Sequence, residues 1–173
     1  MSWERQVSIK SKDEIAIMRE AGIINAEALK AASEVCVPGA TTWDVNAAAD
    51  RVLDHYKVTS PFKGVPGPIP FPASTCVSVN DVLVHGIPSK KIVLHEGDIV
   101  SVDCGTTYKG FVADSAFTIG VGKVSEEAQK LMEVTENSLY IGIEKMVPGN
   151  YTGDVSAAIQ EYVESHGFYV TKQ

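Results

Sequence analysis

A chain of 173 residues with 15 Lys+Arg against 22 Asp+Glu, a formal net charge of −7 and 45% hydrophobic residues reads as one soluble globular domain. At that length most of the apolar surface can be buried on folding, so neither disulfides nor a structural metal is needed, and any metal would serve chemistry. The scattered Lys and Arg exclude a phosphate-neutralising stripe and with it a nucleic-acid partner, and no apolar run approaches the roughly 18 residues of a membrane span. Residues 1–14 lack the apolar core of a signal peptide, and Cys36, Cys76 and Cys104 are too few and too irregular for a disulfide framework or a paired zinc motif. A cytoplasmic protein with reduced thiols is expected.

In chain order, Ser11-x-x-Glu14 has the form of a capping box and opens a helix over 12–36, which Val37-Pro38-Gly39 stops. Thr42 is expected to cap a second helix whose Val45, Ala48, Ala49, Val52 and Tyr56 share one face. Five of the eight prolines lie between Pro61 and Pro72, which excludes helix interior and central strand and predicts a rigid loop. Short β-rich runs at 75–79, 82–86, 92–94, 98–104 and 111–119 predict an antiparallel sheet. After Ser125 the helical pattern returns, halts at Val147-Pro148-Gly149 and resumes through Tyr162.

The order of elements therefore repeats. Val37, Pro38, Gly39, Thr42, Asp44, Val45, Ala47 and Ala48 recur 110 positions later as Val147, Pro148, Gly149, Thr152, Asp154, Val155, Ala157 and Ala158. Pro-Gly followed by Thr-x-Asp is also a common junction between helices, but the shared Val-x-Ala-Ala interior favours duplication. The expected organisation is a single domain over 1–173, with a first repeat at about 11–120 and a second at about 124–173 that lacks its sheet.

Asp103 and Asp114 each interrupt an apolar β run, where carboxylates are poorly suited. With Tyr108-Lys109 at a hairpin tip they fall directly opposite each other on one face; a bulge at Gly110 makes them diagonal neighbours. Two adjacent anions require a cation or a shared proton, unless one or both simply face solvent at the sheet rim. Two carboxylates cannot complete a metal site, so further ligands must come from elsewhere. Among the histidines, His55 and His166 sit near helix ends and His95 in a turn, with no role assigned. His85 closes the apolar run Val82-Leu83-Val84 before Gly86 and Pro88, where it either projects into a cleft or is a structural histidine. Serine-nucleophile, phosphate-loop, dinucleotide and His-Glu-x-x-His signatures are absent.

The segments Phe71-Pro72-Ala73-Ser74-Thr75-Cys76-Val77-Ser78-Val79-Asn80, Val84-His85-Gly86-Ile87-Pro88 and Glu96-Gly97-Asp98-Ile99-Val100-Ser101-Val102-Asp103, with Asp114, resemble the type I methionine aminopeptidases. The likeness runs from the first helix through His166-Gly167-Phe168. It implies the pita-bread α/β fold with an internal pseudo-twofold duplication, the second half incomplete here. It also implies removal of the initiator methionine from nascent peptides by two divalent ions, Co, Mn, Fe or Zn, held by two aspartates, one histidine and two glutamates. By that resemblance Asp103 and Asp114 are metal ligands and His85 contacts the substrate backbone. Phe71 and Cys76 line the methionine pocket, with Phe62 or Val65 contributing. The remaining ligands would come from the second sheet, so this stretch holds half of the apparatus, and association with the ribosome or with a C-terminal half follows as an expectation. Two other readings stand beside it: a catalytically inactive pita-bread module that binds peptides or proteins, and a proline-specific peptidase of the same fold.

Overall fold

The computed structural model describes residues 8–171; the readings of the first seven residues and of Lys172 and Gln173 lie outside them. The chain divides into two compact units, residues 1–123 and 124–173. In the first, α1 (Lys12–Ser33) and α2 (Thr42–Tyr56) precede a three-stranded antiparallel sheet of β1 (Thr75–Val79), β2 (Ile99–Tyr108) and β3 (Phe111–Gly120), in the order β1-β2-β3. The second holds α3 (Glu126–Glu144) and α4 (Thr152–Ser165). Among the described residues no helix is long and apolar enough to cross a membrane.

The caps explain where the helices begin. Ser11 and Glu14 form the expected reciprocal box, with Ser11 N–H donating to Glu14 at 2.7 Å and Glu14 N–H donating to Ser11 at 3.2 Å. At α2 the cap is Thr41, not Thr42: Thr41 N–H donates to Asp44 at 2.9 Å and Asp44 N–H to the Thr41 hydroxyl at 3.2 Å. Thr42 is buried and otherwise engaged, its hydroxyl donating to the Ser89 carbonyl and accepting from Ser89 N–H. The first helix ends at Ser33, three residues before the expected 36.

Three strands form where five runs were expected. Residues 82–86 are not a strand, because Asn80 (φ 53°) turns the chain away from β1 and Val82 N–H closes the turn on the Val79 carbonyl. Residues 92–94 are not a sheet strand either. Leu94 N–H bonds to the Ala40 carbonyl and Gly39 N–H to the Leu94 carbonyl, so this segment clips the α1–α2 junction instead.

Strand alternation gives the sheet two chemically distinct faces. Val77, Val100, Val102 and Cys104 face α1 and α2, where they pack with Ile24, Ala28, Leu29, Val45, Ala49 and Leu53 in one buried core. Two asparagines tie the helices to this face. Asn25 donates to Ser115 at 2.8 Å and accepts from Thr106 at 2.9 Å. Asn46 accepts from the backbone N–H of Ser74 and Thr75 at 3.1 Å each and from the Thr75 hydroxyl at 3.0 Å. In the second unit Gly142 allows α3 and α4 to touch, since a Cβ there would lie 2.7 Å from Ile159. Both helix–helix junctions turn through a left-handed glycine, Gly39 at φ 89° and Gly149 at φ 100°.

Asn46→Ala strands two buried N–H groups and a buried hydroxyl. It is expected to cost about 3 kcal/mol, from roughly 1–3 kcal/mol per unsatisfied buried group with partial relaxation. Urea denaturation measures this, and a loss below about 0.5 kcal/mol would show that the clamp contributes little.

Candidate active site

The face turned away from the helices carries the two aspartates. Asp103 pairs with Ala116 and Asp114 with Gly105, so the carboxylates are diagonal neighbours on one face and not directly opposite. The reason lies in the hairpin: Tyr108 pairs with Phe111, and the two-residue turn is Lys109-Gly110, with φ 49° and 83° as in a type I′ turn. The tip is thus one residue later than Tyr108-Lys109, and the diagonal arises from regular pairing with no bulge.

A cavity of ≈ 350 Å³ abuts this pair, lined by Phe62, Val65, Pro66, Gly67, Ile69, Phe71, Cys76, His85, Asp103 and Asp114. Every residue singled out from the sequence is among them, Phe62 and Val65 both included. His55, His95 and His166 are not. Cys76 reaches the cavity because it pairs with Asp103 across β1 and β2.

His85 reaches it by a different route from the one expected, since it lies in a loop and not at a strand end. Gly86 presses on β1: Val77 N–H bonds to its carbonyl at 2.9 Å, its own N–H bonds to the Ser78 hydroxyl at 3.1 Å, and a Cβ there would overlap the Val77 carbonyl oxygen. This contact pins the loop, and His85, at φ 59°, is exposed beside the carboxylates.

Two further residues shape the site without carrying chemistry. Gly105 lies opposite Asp114, and a Cβ on it would meet Pro61 at 2.7 Å and Phe62 at 2.9 Å, so its hydrogen lets the proline-rich loop lie on the sheet. The same loop is anchored at its start by Thr107 N–H on the Thr59 carbonyl and by Ser60 on the Ser74 carbonyl. A glycine inside an apolar strand was the available signal for such a close approach. Pro66, Gly67 and Ile69 belong to the proline-rich loop, which the family resemblance implies should frame the mouth of the methionine pocket, and they line the cavity.

The electrostatics follow from this crowding. Burial, then the shared hydrogen bond and charge of Asp114, push the Asp103 carboxyl up to about 6, opposed by the positive potential of His85. Burial pushes the Cys76 thiol up to about 11, reinforced by both aspartates, so with no metal bound it is a neutral thiol at neutral pH. Cys104, on the helix face, is pushed up to about 12. As a test of fit for a divalent metal, the site offers two hard oxygen donors whose mutual repulsion a cation would relieve. No group of three or more His, Cys, Asp or Glu side chains among the described residues could hold a metal. The donors fit as two ligands of a larger set.

Residues 16–173 match the profile of metallopeptidase family M24. The chain belongs to that family. A methionine aminopeptidase of Clostridium acetobutylicum is 47% identical over 166 residues, covering 96% of this chain and 65% of that protein. The crystal structure of methionine aminopeptidase from Thermotoga maritima superposes with a TM-score of 0.90 at 44% identity, over 96% of this chain and 66% of that one. Prolidase from Pyrococcus furiosus, at 24% identity and a TM-score of 0.78 over 92% of this chain and 44% of its own, shares the fold. The mixed α/β architecture is that of the pita-bread enzymes, and the chain spans about 65% of the length of the curated relatives it matches.

Because the Asp103 carboxyl is raised, its folded-state proton affinity exceeds the unfolded one, and stability falls as pH rises from about 4 through about 6. Without metal, Asp103→Asn should therefore melt above the parent at pH 7, with the gap closing near pH 4, where the parent carboxyl is already protonated. Excess Mn²⁺ should stabilise the parent but not the variant. Thermal melts at the two pH values check both signs.

Proposed function

We propose that the protein removes N-terminal methionine from new polypeptides in the cytoplasm, and that this stretch supplies the side-chain pocket and two of the metal ligands. The observation that carries the reading is the apolar cavity of Phe62, Val65, Phe71 and Cys76 ending at the Asp103–Asp114 pair. An N-terminal methionine has this layout: a long apolar side chain within a few bonds of an amine and of the amide to be cleaved. The neutral Cys76 thiol and two phenyl rings suit a thioether, which packs well on aromatic faces. His85, on the loop that Gly86 pins to β1, would hydrogen-bond the peptide backbone and hold the amide against the carboxylates.

A divalent ion held through Asp103 and Asp114 would supply Lewis-acid polarisation of the scissile carbonyl. Mn, Fe, Co and Zn all accept such oxygen donors; a pair of ions is what the family resemblance implies. An inactive peptide-binding module would have no use for two repelling carboxylates in its floor. The 47% and 44% identities to methionine aminopeptidases, against 24% to a prolidase, favour methionine removal over proline-specific cleavage.

The reading is tested by methionine release from Met-Ala-Ser with Mn²⁺. A form spanning the full length of the relatives should turn over and lose activity with Asp114→Asn. The 173-residue chain alone should show little or none, with weak metal binding by calorimetry, because two carboxylates leave most coordination positions to water. Methionine release indifferent to Asp114→Asn would overturn the assignment.

In the same full-span form, His85→Ala should lower kcat by roughly ten- to a thousandfold, the scale of losing one hydrogen-bond donor to developing charge, with metal content unchanged. Loss of bound metal would instead make His85 a ligand. A lowered melting temperature at normal kcat would make it structural.

A further inference from the structure

His85 is held in a costly conformation. At φ 59° it occupies the left-handed region, which a residue with a Cβ keeps only where its surroundings enforce it. The three side chains before it supply little of that enforcement, since Val82, Leu83 and Val84 are 45%, 67% and 61% exposed. The restraint comes from the other side. Pro88 is buried, and Ser89 is clasped by Thr42, whose hydroxyl accepts from Ser89 N–H at 2.9 Å and donates to the Ser89 carbonyl at 3.1 Å. Nearer still, β1 grips Gly86 twice, its carbonyl by Val77 N–H at 2.9 Å and its N–H by the Ser78 hydroxyl at 3.1 Å. The first bond joins backbone to backbone, and any residue but proline at position 77 would make it. The second depends on one side chain. Ser78 is 4% exposed, shares the open face of β1 with Cys76, and does not line the cavity. The N–H it accepts from lies in the same rigid peptide plane as the His85 Cα and carbonyl, so anchoring that N–H fixes the plane that follows His85.

We propose that Ser78 is a positioning residue for the reaction: its hydroxyl, by accepting from Gly86 N–H, holds His85 in its left-handed conformation beside Asp103 and Asp114. This rests on His85 acting on the bound peptide. Without that acceptor the Gly86 N–H turns to water, the peptide plane is free to rotate, and His85 relaxes to negative φ with its imidazole displaced from the carboxylates. Ser78 acts only through His85. Its loss therefore slows the chemical step without disturbing the apolar wall of Phe62, Phe71 and Cys76 and without removing either carboxylate.

The test is a double-mutant cycle in the form spanning the full length of the relatives, with kcat and KM on Met-Ala-Ser and Mn²⁺ content measured on each preparation. Ser78→Ala should lower kcat about tenfold with KM and metal content unchanged, the scale of a group misplaced but not missing. Ser78→Thr, which keeps the acceptor, should bring kcat back to within about threefold of the parent. In the His85→Ala background, Ser78→Ala should change kcat by less than about twofold, because the group it positions is gone. A merely structural Ser78 would slow both backgrounds equally, and that result overturns the proposal. Amide hydrogen exchange in the 173-residue chain, read by NMR, gives a measure independent of activity. There Ser78→Ala should speed exchange at Gly86 by about tenfold or more and leave the protected amides of β2 as in the parent. Unchanged exchange at Gly86, or an unchanged kcat in Ser78→Ala, also overturns the proposal. Should Ser78→Ala fail to fold, Ser78→Cys, of the same shape with a weaker acceptor, takes its place with the same order of outcomes. If His85→Ala keeps the parent's kcat, the reading of His85 fails and the role of Ser78 with it; if His85→Ala is slow and Ser78→Ala is normal, only the role of Ser78 falls.

Discussion

The buried Asn46 side chain holds three hydrogen bonds on its carbonyl oxygen, from Ser74 and Thr75, and donates to Asp50 through its amide at 2.7 Å. It sits in α2, whose start is set by Thr41 and Asp44, so the helix cap determines where the chain enters β1. That entry point determines the pairing Thr75–Cys104 and Cys76–Asp103. Shifting β1 by one residue would turn Cys76 toward the helices and bury Ser78 in the apolar core, reversing every side chain on the strand. It would also carry Val77 and Ser78 away from Gly86, and His85 would leave the cavity. A single amide thus couples the helix layer to the apolar pocket and to the histidine loop.

On the sheet's open face the register of the β2–β3 hairpin brings the two carboxylates together. The fold tolerates them there because Asp114 remains exposed while Asp103 takes the burial, and the resulting conflict appears as a carboxyl pushed up to about 6. The helix face could not have accepted the pair: Val100, Val102 and Cys104 are fully buried there, and an uncompensated charge among them would cost several kcal/mol. Alternation between an uncharged, mostly apolar face and an acidic one separates stability from chemistry within one strand, and Asp103 and Cys104, adjacent in sequence, belong to different tasks.

Much of this was legible in the sequence where a local rule acts alone. The Ser11 box, the Pro-Gly stops and the periodic faces of α1 and α2 have short-range causes, and so do the two misplaced aspartates. What escaped was set by contacts distant in sequence. Thr42 lost the cap to Thr41 because Ser89, 47 residues away, claims its hydroxyl. Val82-Leu83-Val84 has strand composition but no strand partner, because the turn at Asn80 directs it away and only Gly86 returns to β1. The hairpin tip moved by one residue because Lys109 and Gly110 can both take the positive φ of a type I′ turn, and that shift converts an opposed pair into a diagonal one. Residue types at the site were therefore readable while their register was not.

Glycine governs how the loops meet this register. At Gly105 the missing side chain admits Pro61 and Phe62 over the sheet; at Gly86 it admits the His85 loop against β1. Both contacts are made by backbone or ring atoms that cannot swing aside, so an alanine at either position would lift a whole loop and not a single side chain. The cavity is consequently bounded by a fixed sheet, a fixed histidine loop and a proline-stiffened rim. Such a site can be specific without closing around its ligand, since its walls are in place before binding and the free energy of contact is not spent on ordering them. Its remaining freedom lies in ionisation. A cation arriving at Asp103 and Asp114 would relieve the repulsion that the register enforces, leaving the apolar wall of Phe62, Phe71 and Cys76 unchanged beside a floor whose negative charge is neutralised.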